Sequence, residues 1–107
     1  MNHCEEIATN FIPTIRALIA KELKEKYGLT QEKIAELLDI TQPAVSQYLK
    51  ESRGKGAKKI EKNQKIMKII DEVVFRIYNN DIKDSEIIKN ICEMCKIYLS
   101  KKDCFFE

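Results

Sequence analysis

The chain has 107 residues, of which 44% are hydrophobic and 34% charged, and its formal net charge is +2. That length holds one domain, or one domain with an appendage, and a modest core. No apolar run approaches the roughly 18 residues a membrane span needs, and no basic leader followed by an apolar stretch opens the chain, so the reading is a cytoplasmic protein with no membrane partner. The charge is uneven. Lys50 to Lys68 holds eight Lys or Arg and two Glu, net +6, which leaves −4 for the remainder. A concentrated basic patch attracts phosphate backbones even on a nearly neutral chain.

Apolar residues recur at helical and nowhere at alternating spacing, which predicts an all-α fold without a sheet. A helix begins near Asn10 to Pro13, with Pro tolerated in a first turn, and residues 4 to 11 form a separate short turn before it. Ile15, Leu18, Ile19, Leu23 and Tyr27 continue the helical pattern, and Gly28 stops it. Thr30 caps a short helix whose apolar side is Ile34, Leu37 and Leu38. Thr41 caps the next, with Pro43 in its first turn and Val45, Tyr48 and Leu49 facing inward. Arg53 to Gly56 reads as a flexible connector. A long helix is predicted from about Lys59 to Tyr78, striped by Ile66, Ile69, Ile70, Val73, Val74 and Ile77, and broken by Asn79-Asn80-Asp81. Asp84 or Ser85 caps a last helix with Ile88, Ile91, Cys92, Cys95, Tyr98 and Leu99 on its apolar face. The result is a five-helix, bundle-like domain. Residues 1–56 form one region, and residues 57–107 form a C-terminal helical region that packs on it, dimerises, or does both.

Two short helices joined tightly at residues 38 to 41 meet the mechanical demands of a helix-turn-helix. Ala35 is small and lets the second helix approach. Asp39 stands where the turn needs a left-handed residue. Ile40 fills the space beneath the turn, and Val45 and Tyr48 anchor the second helix. Residues 29 to 54, "LTQEKIAELLDITQPAVSQYLKESRG", resemble the helix-turn-helix of the Cro/C1-repressor-like (XRE-type) family. With "IPTIRALIAKELKEKYG" before it, the segment is similar to a group of small archaeal transcription regulators. The family usually has Gly at the turn, and Asp39 departs from that pattern. Asp tolerates the left-handed region better than most non-Gly residues, so the motif is expected to survive at a small stability cost.

Setting aside the inward positions leaves Gln42, Pro43, Ser46, Gln47 and Lys50 facing out. Gln pairs bidentately with the major-groove edge of adenine, and Ser donates or accepts. The resemblance implies that Gln42, Ser46 and Gln47 approach base edges, and that Gln31 touches phosphate and braces Gln42. Thr41, Tyr48, Lys50 and Arg53 are phosphate-contact candidates. The partner is then double-stranded DNA and the protein a transcription regulator. One such unit covers few base pairs, so a homodimer through the C-terminal helices is expected. A protein-interaction module of the same fold, a coactivator or antitoxin-like partner, is the alternative, with Phe105 and Phe106 as part of an apolar patch. There is no Gly-rich phosphate loop and no nucleophile paired with a base, so no catalysis is expected.

The four cysteines, Cys4, Cys92, Cys95 and Cys104, leave three readings open. They are small apolar packing residues, ligands of a zinc ion or an iron–sulfur cluster with His3 as a substitute ligand, or reversible thiols. As a centre they would tie the N-terminus to the last helix and make the regulator sensitive to metal or redox state.

Overall fold

A computed structural model describes residues 3–102, with side chains from residue 10 to residue 99. Six helices follow one another: α1 (His3–Tyr27), α2 (Gln31–Leu38), α3 (Gln42–Glu51), α4 (Lys55–Glu61), α5 (Gln64–Tyr78) and α6 (Asp84–Lys102). The described residues contain no strand, so the all-α expectation holds, with six helices in place of five.

The first difference lies in α1. No break separates residues 4 to 11 from the rest of the helix, and Pro13 sits inside a continuous 25-residue element. Proline removes one rung of the backbone ladder, but packing holds both halves in register. Phe11 is buried on the near side of the proline and Ile15 and Leu18 on the far side. The Phe11 ring meets Tyr98 of α6 at 5.1 Å between centroids. Behind the proline, Thr14 Oγ1 donates to the Asn10 carbonyl at 2.8 Å.

The second difference lies between residues 53 and 63. The connector is shorter than expected, because helix α4 starts at Lys55 and includes Gly56. Ala57 and Ile60, one turn apart, are buried and give this short helix its inward face. The long predicted helix is interrupted at Asn63, whose backbone is extended and whose side chain accepts from the Ile66 amide at 3.1 Å. An Asn that satisfies a free amide in this way begins a new helix. From there α5 buries Ile66, Ile70, Val73, Val74 and Ile77. It ends as predicted at Asn79-Asn80-Asp81. Asn80 adopts φ 55°, and the Asn80 and Asp81 amides donate to the Ile77 and Arg76 carbonyls, the paired bonds of a left-handed C-terminal cap.

The third difference is in α6. Lys83, not Asp84 or Ser85, occupies the cap position: its carbonyl accepts from the Ile87 amide, and its own amide donates to Glu86 Oε1 at 3.1 Å. That bond, followed by the Arg76 guanidinium, holds the Glu86 carboxyl below its ordinary value. The inward face runs through Ile87, Ile91, Met94 and Tyr98, at helical spacing. Ile88 is 53% exposed, Cys92 is exposed, and Met94 is fully buried. Ile91, Cys95, Tyr98 and Leu99 of the predicted stripe do face the core, while Ile87 and Met94 take the inward places expected of Ile88 and Cys92.

Helix α1 packs against each of the other five. One apolar cluster runs from Phe11 through Ile34 and Val45 to Ile70 and Met94. Ion pairs tie the rim of this core: Lys21 to Glu61 at 2.5 Å and Lys26 to Asp71 at 2.9 Å.

Candidate nucleic-acid interface

Local chemistry fixes the geometry of α2 and α3. Thr30 Oγ1 accepts from the Lys33 amide at 3.1 Å, and Thr41 Oγ1 accepts from the Ala44 amide at 3.2 Å. Each threonine therefore starts its helix at a defined residue. Between them Asp39 is left-handed, at φ 58° and ψ 46°. The Asp39 amide donates to Glu36 and the Ile40 amide to Ala35, at 3.0 Å for the latter. These two bonds reverse the chain in three residues. Ala35, Val45 and Leu49 are buried between the helices, and Ile40 packs half-buried against the same core. The inward residues named from the sequence are those that hold the unit together.

The opposite face of α3 is open. Gln42, Pro43, Gln47 and Lys50 are exposed, as are Thr41 before the helix and Arg53 after it. Ser46 and Tyr48 are half-buried, so Ser46 is less prominent than expected and the Tyr48 ring belongs partly to the core. Gln42 Nε2 donates to Gln31 Oε1, which joins the first residues of α2 and α3 side chain to side chain. That contact restricts the rotamers of both glutamines and leaves the Gln42 carbonyl available to accept.

The electrostatic setting reinforces this face. Lys50, Arg53, Lys55, Lys58, Lys59, Lys62, Lys65 and Lys68 are all exposed along the end of α3, α4 and the start of α5. Glu61, one of two acids in that segment, turns back to Lys21. The hydrogen bond from Lys21 to Glu61 raises the Lys21 ammonium above its ordinary value. The acid is engaged in the body of the protein, so the outward potential of the segment stays positive.

Of the four cysteines, Cys92 and Cys95 have side chains among the described residues. Cys92 is exposed and Cys95 half-buried, and neither is in a disulfide. Among the described residues no group of three or more His, Cys, Asp or Glu is placed to hold a metal ion. The side chains of His3 and Cys4, and residues Cys104, Phe105 and Phe106, lie outside the described residues. No helix among the described residues is long and apolar enough to cross a membrane.

Arg16 was missed in the sequence. It lies at a cleft formed by α1, the α2–α3 turn and α6. The available signal was a lone cation next to the Ile15, Leu18, Ile19 stripe, which helical spacing alone does not assign to a site.

Compared with known protein families, residues 19–69 fit the family model described as helix-turn-helix. No curated protein and no solved structure matches the chain.

Proposed function

Residues 19–69 belong to the helix-turn-helix family, in its Cro/C1-repressor-like form, and from that premise we propose that the protein is a sequence-specific DNA-binding transcription regulator. The observation that carries the reading is the exposed polar face of α3 beside an exposed basic segment. In this reading α3 enters the major groove. Gln42 and Gln47 hydrogen-bond base edges, with Ser46 a closer-lying contributor. Gln31 braces Gln42 and touches phosphate. Thr41, Pro43, Tyr48, Lys50 and Arg53 border the groove, and the lysines of α4 and α5 neutralise phosphates beyond it.

The protein acts as a homodimer. The exposed Phe75 and Tyr78 on α5 and Ile88 on α6 support a partner on the C-terminal helices, since exposed aromatic and aliphatic side chains gain by burial in an interface. A zinc or iron–sulfur centre on Cys4, Cys92, Cys95 and Cys104 is a separate proposal. It needs Cys4 and Cys104 to approach α6. Stoichiometric iron or zinc after anaerobic purification supports it, and a metal-free, colourless protein after reconstitution rejects it.

The test of the reading head is Gln47→Ala. It should lose about 1–3 kcal/mol of discrimination at one base pair while leaving affinity for random DNA unchanged. An equal loss on specific and random duplex would mean that Gln47 contacts backbone and not base.

A further inference from the structure

Behind the reading helix is a cleft of about 260 Å³ whose walls come from five places in the chain. Ile19 of α1, Ile40 of the turn, Ile77 of α5 and Ile87 of α6 make an aliphatic floor. Three ionic side chains stand among them: Arg16, Asp39 and Asp84. None of the three takes part in an ion pair within the described residues. The Arg16 Nε is enclosed, without a hydrogen-bond partner among those residues. A buried N–H of a charged group gains strongly from an acceptor. The two aspartates are exposed at the rim.

We infer that this cleft binds a small zwitterion with an aliphatic body, in the size class of the amino acid leucine. Its carboxylate meets Arg16, its ammonium meets Asp84 and Asp39 at the rim, and its aliphatic chain lies on the isoleucine floor. The charges argue for this occupant over its neighbours. A plain carboxylate satisfies Arg16 but faces two unpaired acids, and a plain amine leaves the enclosed Nε without an acceptor. The volume is just below the range of about 300–1,000 Å³ typical of drug-sized ligands, which suits a metabolite. The position gives the site a consequence that rests on the DNA-binding reading. The cleft is lined by Asp39 and Ile40 of the turn and by Tyr48 of α3, so its occupant braces the turn against α6 and shifts DNA affinity.

The experiment is calorimetric titration of the full chain, without DNA, with leucine, 4-methylpentanoate and 3-methylbutylamine in turn. Leucine should bind once per chain, and each truncated analogue should bind about tenfold more weakly or worse, as expected for loss of one charge-assisted hydrogen bond. Arg16→Gln should lose both leucine and 4-methylpentanoate. Because Arg16 also packs in the fold, Asp84→Asn serves as the second variant: it is exposed, and it should weaken leucine and the amine while leaving 4-methylpentanoate binding as tight or tighter, since one repelling acid is removed. No saturable leucine binding, undiminished leucine binding by a folded Arg16→Gln protein, or 4-methylpentanoate binding as tightly as leucine overturns the assignment. Selected duplex DNA is then titrated with and without saturating leucine, where a change of about fivefold or more is expected. Leucine binding with no change in DNA affinity overturns the regulatory role, whereas failure to bind any DNA in either condition counts against the DNA-binding reading alone.

Discussion

Single residues carry several of the strained or charged features. Asp39 holds a left-handed conformation that its Cβ disfavours. Asp39→Gly should therefore raise stability, by up to about 1 kcal/mol, read as a higher thermal midpoint; a lower midpoint would show that the carboxylate contributes more than the strain costs. Glu22 is a different case. It is buried on α1, and burial, partly countered by Lys26, raises its carboxyl above the ordinary value of 4.5. A carboxyl raised in this way favours the folded state in its protonated form. Its contribution is full below the ordinary value and is lost as pH rises through the raised one. Lys26 keeps a second partner in Asp71, so neutralising Glu22 does not strand it. Glu22→Gln should melt higher than the wild type at about pH 7, and the gap should close as pH falls below the ordinary carboxyl range. A gap that is constant with pH would place the effect in packing and not in charge.

Among the elements, the helix-turn-helix was the most legible part of the sequence, because its signals are local. Thr30 and Thr41 announce two helix starts, and the small Ala35, the turn residue Asp39 and the apolar Val45 and Leu49 leave one way to pack them. The bond between Gln31 and Gln42 was implied by the family resemblance and not by these local signals. Less legible were features set by distant partners. Pro13 marks a helix start by its own chemistry, yet Phe11 packing on Tyr98 extends the helix through it. In α6, Ile87 and Ile88 are adjacent and equally apolar, and only the position of α1 and α5 decides that Ile87 turns in and Ile88 out. The interruption at Asn63 was readable in principle, as an Asn three residues before the apolar stripe that opens at Ile66. Asn63→Ala removes the acceptor for the Ile66 amide and should cost about 1 kcal/mol, measured by denaturant unfolding. No loss would mean that the packing of Ala57 and Ile60 alone sets the bend between α4 and α5.

For the whole molecule, charge and packing divide the labour. One core spans all the helices from Phe11 to Met94 and fixes α3 relative to the basic segment. In the proposed reading that segment, net +6 on a chain of net +2, would supply affinity that falls with salt, and the glutamine face would supply choice among sequences. Phe75, Tyr78 and Ile88 remain exposed on the C-terminal helices, and two-fold pairing there would present two reading helices to one duplex. The most direct measurement is selection of bound fragments from a random duplex pool, followed by affinity for the enriched site across a salt series. A dimeric regulator of this kind should enrich an inverted repeat with half-sites about one helical turn apart, roughly 10 base pairs, and bind it with an affinity that falls steeply with salt. A pool that emerges unenriched, or binding that ignores both sequence and salt, would contradict it.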